Sequence, residues 1–281
     1  MTTDQAQNTF PPLQKSKKVW FIIAAALLFP VILLIFATVQ PKVFFDKSTL
    51  YYQLSANIFY IHWSVFLFLT VVFLHLIGKV SFKELGLEAR KMGSVLWLFP
   101  AVWILEQLVL VIITLINSGE FRLNEIWLSN ESILKAISSF ISNLVATGLN
   151  EEVFFRGFLF IQLFLIFKAK IVGKNNRIYS LIISALLSSL IFAGCHLQFK
   201  SNTFLFLMLG GVVGCTIYFL TNNIFYGILL HGFFNSPLPL LPSEGDTAKF
   251  IVLGIIFAII IMLSLKKRFR KKENLEIDNV E

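Results

Sequence analysis

Long apolar stretches recur along nearly the whole chain, and they constrain its fold more than any other feature. About 20 helical residues, rising 1.5 Å each, cross a hydrocarbon core of about 30 Å. The sequence therefore predicts an all-α, polytopic transmembrane helical bundle of about eight membrane-spanning helices. The predicted spans cover residues 19–40, 57–78, 95–117, part of 132–167, 178–198, 203–220, 224–236 and 248–265. A helix over all of 132–167 would be about 54 Å long, so we expect its first turns at the interface or a bend near Gly148 or Gly157.

Composition supports the membrane assignment. Only 14% of the residues are charged and the mean hydropathy is +0.78, whereas soluble domains carry about 25% charged residues. Two cysteines, both in apolar runs, do not make a disulfide scaffold. The net charge of +8 lies at the ends of the apolar stretches, which indicates a lipid bilayer as partner and no nucleic acid.

The distribution of basic residues predicts the orientation, because Lys and Arg are retained on the cytoplasmic side. Of the 24 Lys and Arg residues, Arg156 lies inside a span and 17 lie in one set of alternating loops and tails. The opposite set holds six, namely Lys42, Lys47, Arg122, Lys135, Lys200 and Lys249. We therefore expect cytoplasmic tails at 1–18 and 266–281, and one transmembrane domain at 19–265 in the cell's inner or plasma membrane.

Three charged residues stand in the fourth span, where each costs roughly 2.5 to 3.5 kcal/mol unless it is paired or used. They are Glu151, Glu152 and Arg156. At 100° per residue, Glu152 and Arg156 lie about 40° apart on one helix face, while Glu151 lies about 140° from Arg156. We predict that Arg156 neutralises Glu152 in a structural pair and that Glu151 points elsewhere.

Histidines at the ends of two other spans add to this set. His196 ends the fifth span, and His231 and Asn235 share a face of the short seventh span. Counted from the cytoplasmic ends of their helices, Glu151 and His196 lie at about 24 and 27 Å. Isolated polar groups in hydrocarbon are costly, so we expect these side chains to share one cavity. His62 and His75 lack such partners, and we expect them to hydrogen-bond neighbouring carbonyls.

A carboxylate, two imidazoles and an amide in a partly dry cavity suit the activation of water for attack on a peptide carbonyl. Two other classes remain open. One is a transporter with a proton or ion path lined by the histidines and by Glu106, Glu151, Glu152 and Arg156; the other is a noncatalytic membrane immunity scaffold. Glu106, in the third span, is expected to be structural or proton-accepting, or else to contact the site.

The same residues resemble the CPBP intramembrane proteases, a family that includes the type II CAAX prenyl endopeptidases and the Abi proteins. Its motifs EExxxR, FxxxH and HxxxN occur here in order, as Glu151–Arg156, Phe192–His196 and His231–Asn235. The resemblance covers about residues 130–240. It implies that Glu151 activates water with His196, that His231 and Asn235 bind a metal or the oxyanion, and that Glu152 and Arg156 hold the helix in place.

The resemblance also implies a membrane-associated peptide or protein substrate, such as a CAAX-like, bacteriocin or signal peptide. It leaves the role of metal open. Glu151, His196 and His231 would serve either as zinc ligands or as a metal-free set that activates water.

Overall fold

A computed structural model describes residues 73–117, 130–173, 175–196, 201–236, 238–241 and 247–277, together with 19–20, 24, 121, 123–124 and 127–128. Every regular element in this part of the chain is a helix, which confirms the predicted all-α class. Two of the predicted spans, 19–40 and 57–78, lie almost wholly outside the described residues, as does His62.

Nine α-helices follow one another in the described chain. They are α1 (Ala89–Met92), α2 (Leu98–Asn117), α3 (Asn130–Ser142), α4 (Leu149–Glu152), α5 (Ile161–Lys170), α6 (Asn176–Cys195), α7 (Ser201–Thr221), α8 (Phe225–Phe234) and α9 (Thr247–Ile277). A 3₁₀ turn covers Gly93–Val95, and π-helical turns cover Phe73–Ile77, Asn143–Gly148 and Val153–Phe160. In the first of these π turns, His75 Nδ1 donates to the carbonyl of Val80 at 3.0 Å, as predicted.

Three described stretches are long and apolar enough to cross a membrane: Ala89–Asn117, Asn176–Cys195 and Thr203–Thr221. They match the third, fifth and sixth predicted spans. The seventh and eighth correspond to shorter apolar helices, Phe225–Phe234 and Thr247–Leu263.

Helix α6 shows the residue distribution of a helix in lipid. Its serines Ser180, Ser184 and Ser188 are buried at four-residue spacing, while Leu186 and Leu190 are exposed. Small residues let helix backbones approach closely, and large aliphatic side chains suit contact with acyl chains. The protein-facing side of this helix is therefore its small, polar side.

The predicted fourth span is a composite helix over 130–170, in which α3, α4 and α5 are joined by two π-helical turns. The sequence suggested a bend near Gly148 or Gly157. Gly148 ends the π turn Asn143–Gly148, and Gly157 lies within the π turn Val153–Phe160. A Cβ atom on Gly157 would lie 2.7 Å from the carbonyl oxygen of Leu85. The bare backbone of this turn therefore lets the 81–86 segment pack directly against it. π-helical turns often occur at functional sites because they re-aim side chains.

Helix α8 lies between two buried apolar clusters. Ile228 packs with the cluster around Phe154, Phe158 and Leu159, whereas Leu229 and Phe233 pack with side chains of α2 and α9. Because both sides of α8 are covered, its position relative to the composite helix is fixed. That position determines where His231 lies.

Candidate active site

The sequence-predicted polar residues reach the site from different helices. Glu151 and Glu152 are the last two residues of α4, and Arg156 follows in the π turn Val153–Phe160. His196 directly follows the last residue of α6, and His231 lies in the last turn of α8. The site is thus assembled at helix ends and at a change of helix type.

Glu151 lies between the two histidines. Its Oε2 atom is 3.3 Å from His231 Nε2 and 3.8 Å from His196 Nε2. The three residues come from three separate helices, so the structure brings them together as the sequence analysis expected. Within the described part of the chain, this buried Oε2 atom has no hydrogen-bond partner. It is therefore the oxygen that is available to a water molecule or a substrate.

Glu152 has a different set of contacts. Its Oε1 atom lies 3.1 Å from Arg156 Nη1, as the i, i+4 spacing predicted. The same oxygen accepts a hydrogen bond from His231 Nδ1 at 3.2 Å, which the sequence analysis did not foresee. Adjacent helical residues point about 100° apart, so Glu151 and Glu152 flank the two nitrogens of the His231 ring. His231 is thereby held in one orientation.

His196 has a fixed tautomer when it is neutral. Its Nδ1 atom lies 2.8 Å from the carbonyl oxygen of Phe192, and a carbonyl can only accept. Nδ1 therefore carries the proton, and the neutral ring presents Nε2 to Glu151 as an acceptor. Two acceptors 3.8 Å apart form a suitable pair for a water molecule that donates one hydrogen to each.

Phe192 contacts both the buried arginine and the two histidines of the candidate site. The Arg156 guanidinium carbon lies 4.3 Å from the centroid of its ring, within the range of a cation–π contact. The same ring makes edge-on contacts with His196 at 4.6 Å and His231 at 6.2 Å between centroids. The FxxxH motif includes Phe192 but gives it no role, since a single Phe among 31 carries no signal of its own.

Asn143 is a site residue that the sequence analysis missed. Its Nδ2 atom donates to the backbone carbonyl of Asn235 at 2.8 Å and lies 3.2 Å from Ser236 Oγ. This contact ties the composite helix to the end of α8. A signal was present in the sequence, because Asn143, Thr147 and Glu151 recur at four-residue spacing and so share one helix face.

All six candidate residues line one cavity of about 510 Å³. Its polar lining residues are Asn143, Thr147, Glu151, Glu152, Arg156, His196, Thr203, His231, Asn235 and Lys249. Asn235 lies at the exposed end of α8, one turn beyond His231. A cavity with both charged and apolar walls is the usual form of a site for a small ligand or peptide.

Glu106 lies apart from this cavity. Its side chain is buried in α2, it is not among the lining residues, and its Oε2 atom has no hydrogen-bond partner in the described chain. The neighbouring Gln107 accepts a hydrogen bond from the backbone N–H of Leu240 at 2.8 Å. The structure therefore gives no contact between Glu106 and the candidate catalytic residues.

The zinc interpretation requires three ligands around a common point. Within the residues that the structure describes, no three or more His, Cys, Asp and Glu side chains are arranged to hold a metal ion. The hydrogen bond from His231 Nδ1 to Glu152 leaves His231 Nε2 free, as in histidines that bind metals. Zinc binding therefore stays a prediction, and the proposed chemistry uses the side chains alone.

Comparison with known proteins supports the protease assignment. Residues 133–237 match a family model described as type II CAAX prenyl endopeptidase Rce1-like. This segment is therefore similar to an Rce1-like protease domain. It contains all six candidate residues and confirms the resemblance noted in the sequence. No curated protein and no solved structure matches the chain. The protein is thus an integral membrane protein with a segment that is similar to a protease domain.

Proposed function

We propose that this Rce1-like domain hydrolyses a peptide bond within the membrane by means of a water molecule activated by Glu151. The observation that carries the proposal is the buried Glu151 Oε2 atom, which faces both histidine Nε2 atoms and has no hydrogen-bond partner among the described residues. A carboxylate in this position accepts a proton from water, and His196 Nε2 accepts the second hydrogen bond. The water oxygen is thereby oriented for attack.

The proton balance of the proposed reaction closes within the site. As the water oxygen bonds to the peptide carbonyl carbon, its proton passes to Glu151 and the carbonyl oxygen becomes negative. The Asn235 side chain donates a hydrogen bond to that oxyanion, and His231 donates one from Nε2 as an imidazolium, since its Nδ1 already donates to Glu152. When the C–N bond breaks, Glu151 returns the proton to the leaving nitrogen. The products are a carboxylic acid and an amine.

Three other residues act by positioning. Arg156 pairs with Glu152, Glu152 accepts from His231, and the Phe192 ring lies against Arg156. This chain of contacts keeps the His231 ring directed at Glu151. We propose that the substrates are membrane-associated peptides of the CAAX-like, bacteriocin or signal-peptide classes.

The test compares two glutamates that are both buried in membrane helices. Glu151→Gln should reduce peptide hydrolysis by at least about 100-fold, the scale of a lost general base. Glu106→Gln makes the same chemical change outside the cavity and should leave the rate within about twofold. Substrates would first be found by comparing membrane peptides from cells with and without the chain.

Two outcomes would contradict the proposal. A folded Glu151→Gln protein that cleaves at the native rate would exclude Glu151 as the base. A cellular function that survives Glu151→Gln unchanged would favour the noncatalytic scaffold.

A further inference from the structure

We infer that the active-site cavity opens on the non-cytoplasmic face of the membrane, so that its substrates are polypeptides presented from that face. The substrate part of this inference rests on the proposed protease function; the direction of the opening does not. Three observations carry it: an exposure gradient, the position of the rim, and the position of the basic residues.

The exposure of the site's side chains rises in one direction. The side chains of Arg156 and Glu152 are each 4% exposed, and that of Glu151 is 7% exposed. The value rises to 11% for His231 and to 27% for His196. The Arg156 end is therefore the floor of the cavity, and the His196 end is its mouth.

The rim of the cavity is built from helix ends that meet on one side of the bundle. His196 follows the end of α6, Thr203 lies in the first turn of α7, Asn235 follows the end of α8, and Lys249 lies in the first turn of α9. Each of these helices runs away from the mouth toward its other end. The mouth therefore lies at the α6–α7 and α8–α9 connections.

The opposite end of the bundle carries most of the basic residues. Lys168 and Lys170 end α5, and Arg177 lies in the first turn of α6. Lys91, in α1, donates from Nζ to the carbonyl of Asn222, which follows α7, at 2.7 Å. The 79–91 segment thus lies at the same end. The topology predicted from the sequence assigns 17 basic residues of loops and tails to the set that includes these, and six to the opposite set.

Basic residues are retained in the cytoplasm during insertion. The basic end is then cytoplasmic, and the cavity mouth at the other end is not. A peptide bond would reach Glu151 from the extracytoplasmic or lumenal side. Of the substrate classes proposed above, bacteriocin and signal peptides satisfy this requirement directly, whereas a CAAX-like C-terminus that remains in the cytosol does not.

The experiment measures which side of the membrane reaches engineered cysteines. A cysteine-free background, Cys195→Ser with Cys215→Ala, receives one cysteine at a time. Thr203→Cys reports on the rim of the cavity. Leu128→Cys reports on an exposed position near the same end, because the neighbouring Trp127 donates a hydrogen bond to the carbonyl of Pro239. Val172→Cys reports on the exposed connection between α5 and α6. A charged, membrane-impermeant maleimide is added to intact cells or to inverted membrane vesicles.

We expect the Thr203 and Leu128 cysteines to react in intact cells, and the Val172 cysteine to react only in inverted vesicles. Leu207→Cys, on the same cavity wall, replaces Thr203→Cys if that variant fails to accumulate. Reaction of Val172→Cys in intact cells, or of the rim cysteine only in inverted vesicles, would overturn the inference. Repeating the labelling on Glu151→Gln separates the two proposals, because the direction of the cavity should not change when hydrolysis is lost.

Discussion

Replacing Arg156 tests whether the charge pair beneath the active site stabilises the fold. Its side chain and that of Glu152 are both 4% exposed and lie 3.1 Å apart. Breaking a buried pair by removing one partner costs about 3 to 5 kcal/mol in soluble proteins, because the other charge is left uncompensated. Here His231 Nδ1 also donates to Glu152, so part of the compensation remains. We therefore expect Arg156→Met to cost about 3 kcal/mol, the lower end of that range.

The loss is measured as a change in melting temperature in detergent. By the scaling of soluble chains of 150–250 residues, about 3 kcal/mol lowers the melting temperature by roughly 6 to 12 °C. Arg156→Lys retains the charge and should lose less than half as much. The double variant Glu152→Gln with Arg156→Met removes both charges and should recover at least half of the loss.

Several results would refute this reasoning. If Arg156→Met melts within about 1 °C of the native protein, the pair does not stabilise the fold. If the double variant is less stable than Arg156→Met alone, Glu152 is stabilised by something other than Arg156. In either case the arginine would have to be reinterpreted as a residue that contacts substrate.

Further predictions follow from the contacts around the site. Phe192→Leu removes the edge-on contacts worth about 0.5 to 1.5 kcal/mol and should reduce the hydrolysis rate about tenfold at unchanged folded yield; a native rate would show that the ring does not position the histidines. Gly227→Ala places a Cβ against Glu152 Oε2 and should lower both melting temperature and activity, whereas Gly254→Ala, with open space at its Cβ, should change neither. Incubation with a zinc chelator should leave the purified enzyme's rate unchanged, and a rate that falls and is restored by added zinc would favour the metal-dependent alternative.

Much of the helical architecture could be predicted from the sequence, because apolar length is a strong signal. Three of the predicted spans coincide with helices that are long and apolar enough to cross a membrane. The internal structure of the composite helix was less predictable. The glycines predicted a bend near Gly148 or Gly157, but they did not predict that the helix changes to π-helical turns there. Such turns depend on packing, for example that of Gly157 against the Leu85 carbonyl. That neighbour is distant in sequence and leaves no local pattern.

The candidate site was predictable to the extent that its members are rare. Acids and histidines in apolar helices are costly, so the sequence alone distinguishes Glu151, His196 and His231 from their neighbours. It marks Asn143 only weakly, by its four-residue spacing from Thr147 and Glu151, and it does not mark Phe192 because Phe is common in this chain. Their importance comes from partners on other helices, the Asn235 carbonyl and the Arg156 guanidinium. Periodicity within one helix cannot supply those partners.

The two adjacent glutamates show how surroundings give one residue type two roles. Glu152 has an arginine on one side and a histidine N–H on the other, so its charge is satisfied within the protein and it can only hold its neighbours. The Oε2 atom of Glu151 faces the Nε2 atoms of His196 and His231 and has no hydrogen-bond partner in the described chain. An oxygen left in that state in a polar cavity is stabilised by binding water. The free-energy cost of an uncompensated polar group in hydrocarbon favours bringing the acids and histidines together. It also favours a water molecule at the one carboxylate oxygen that has no partner in the described chain, and the proposed hydrolysis requires that oxygen.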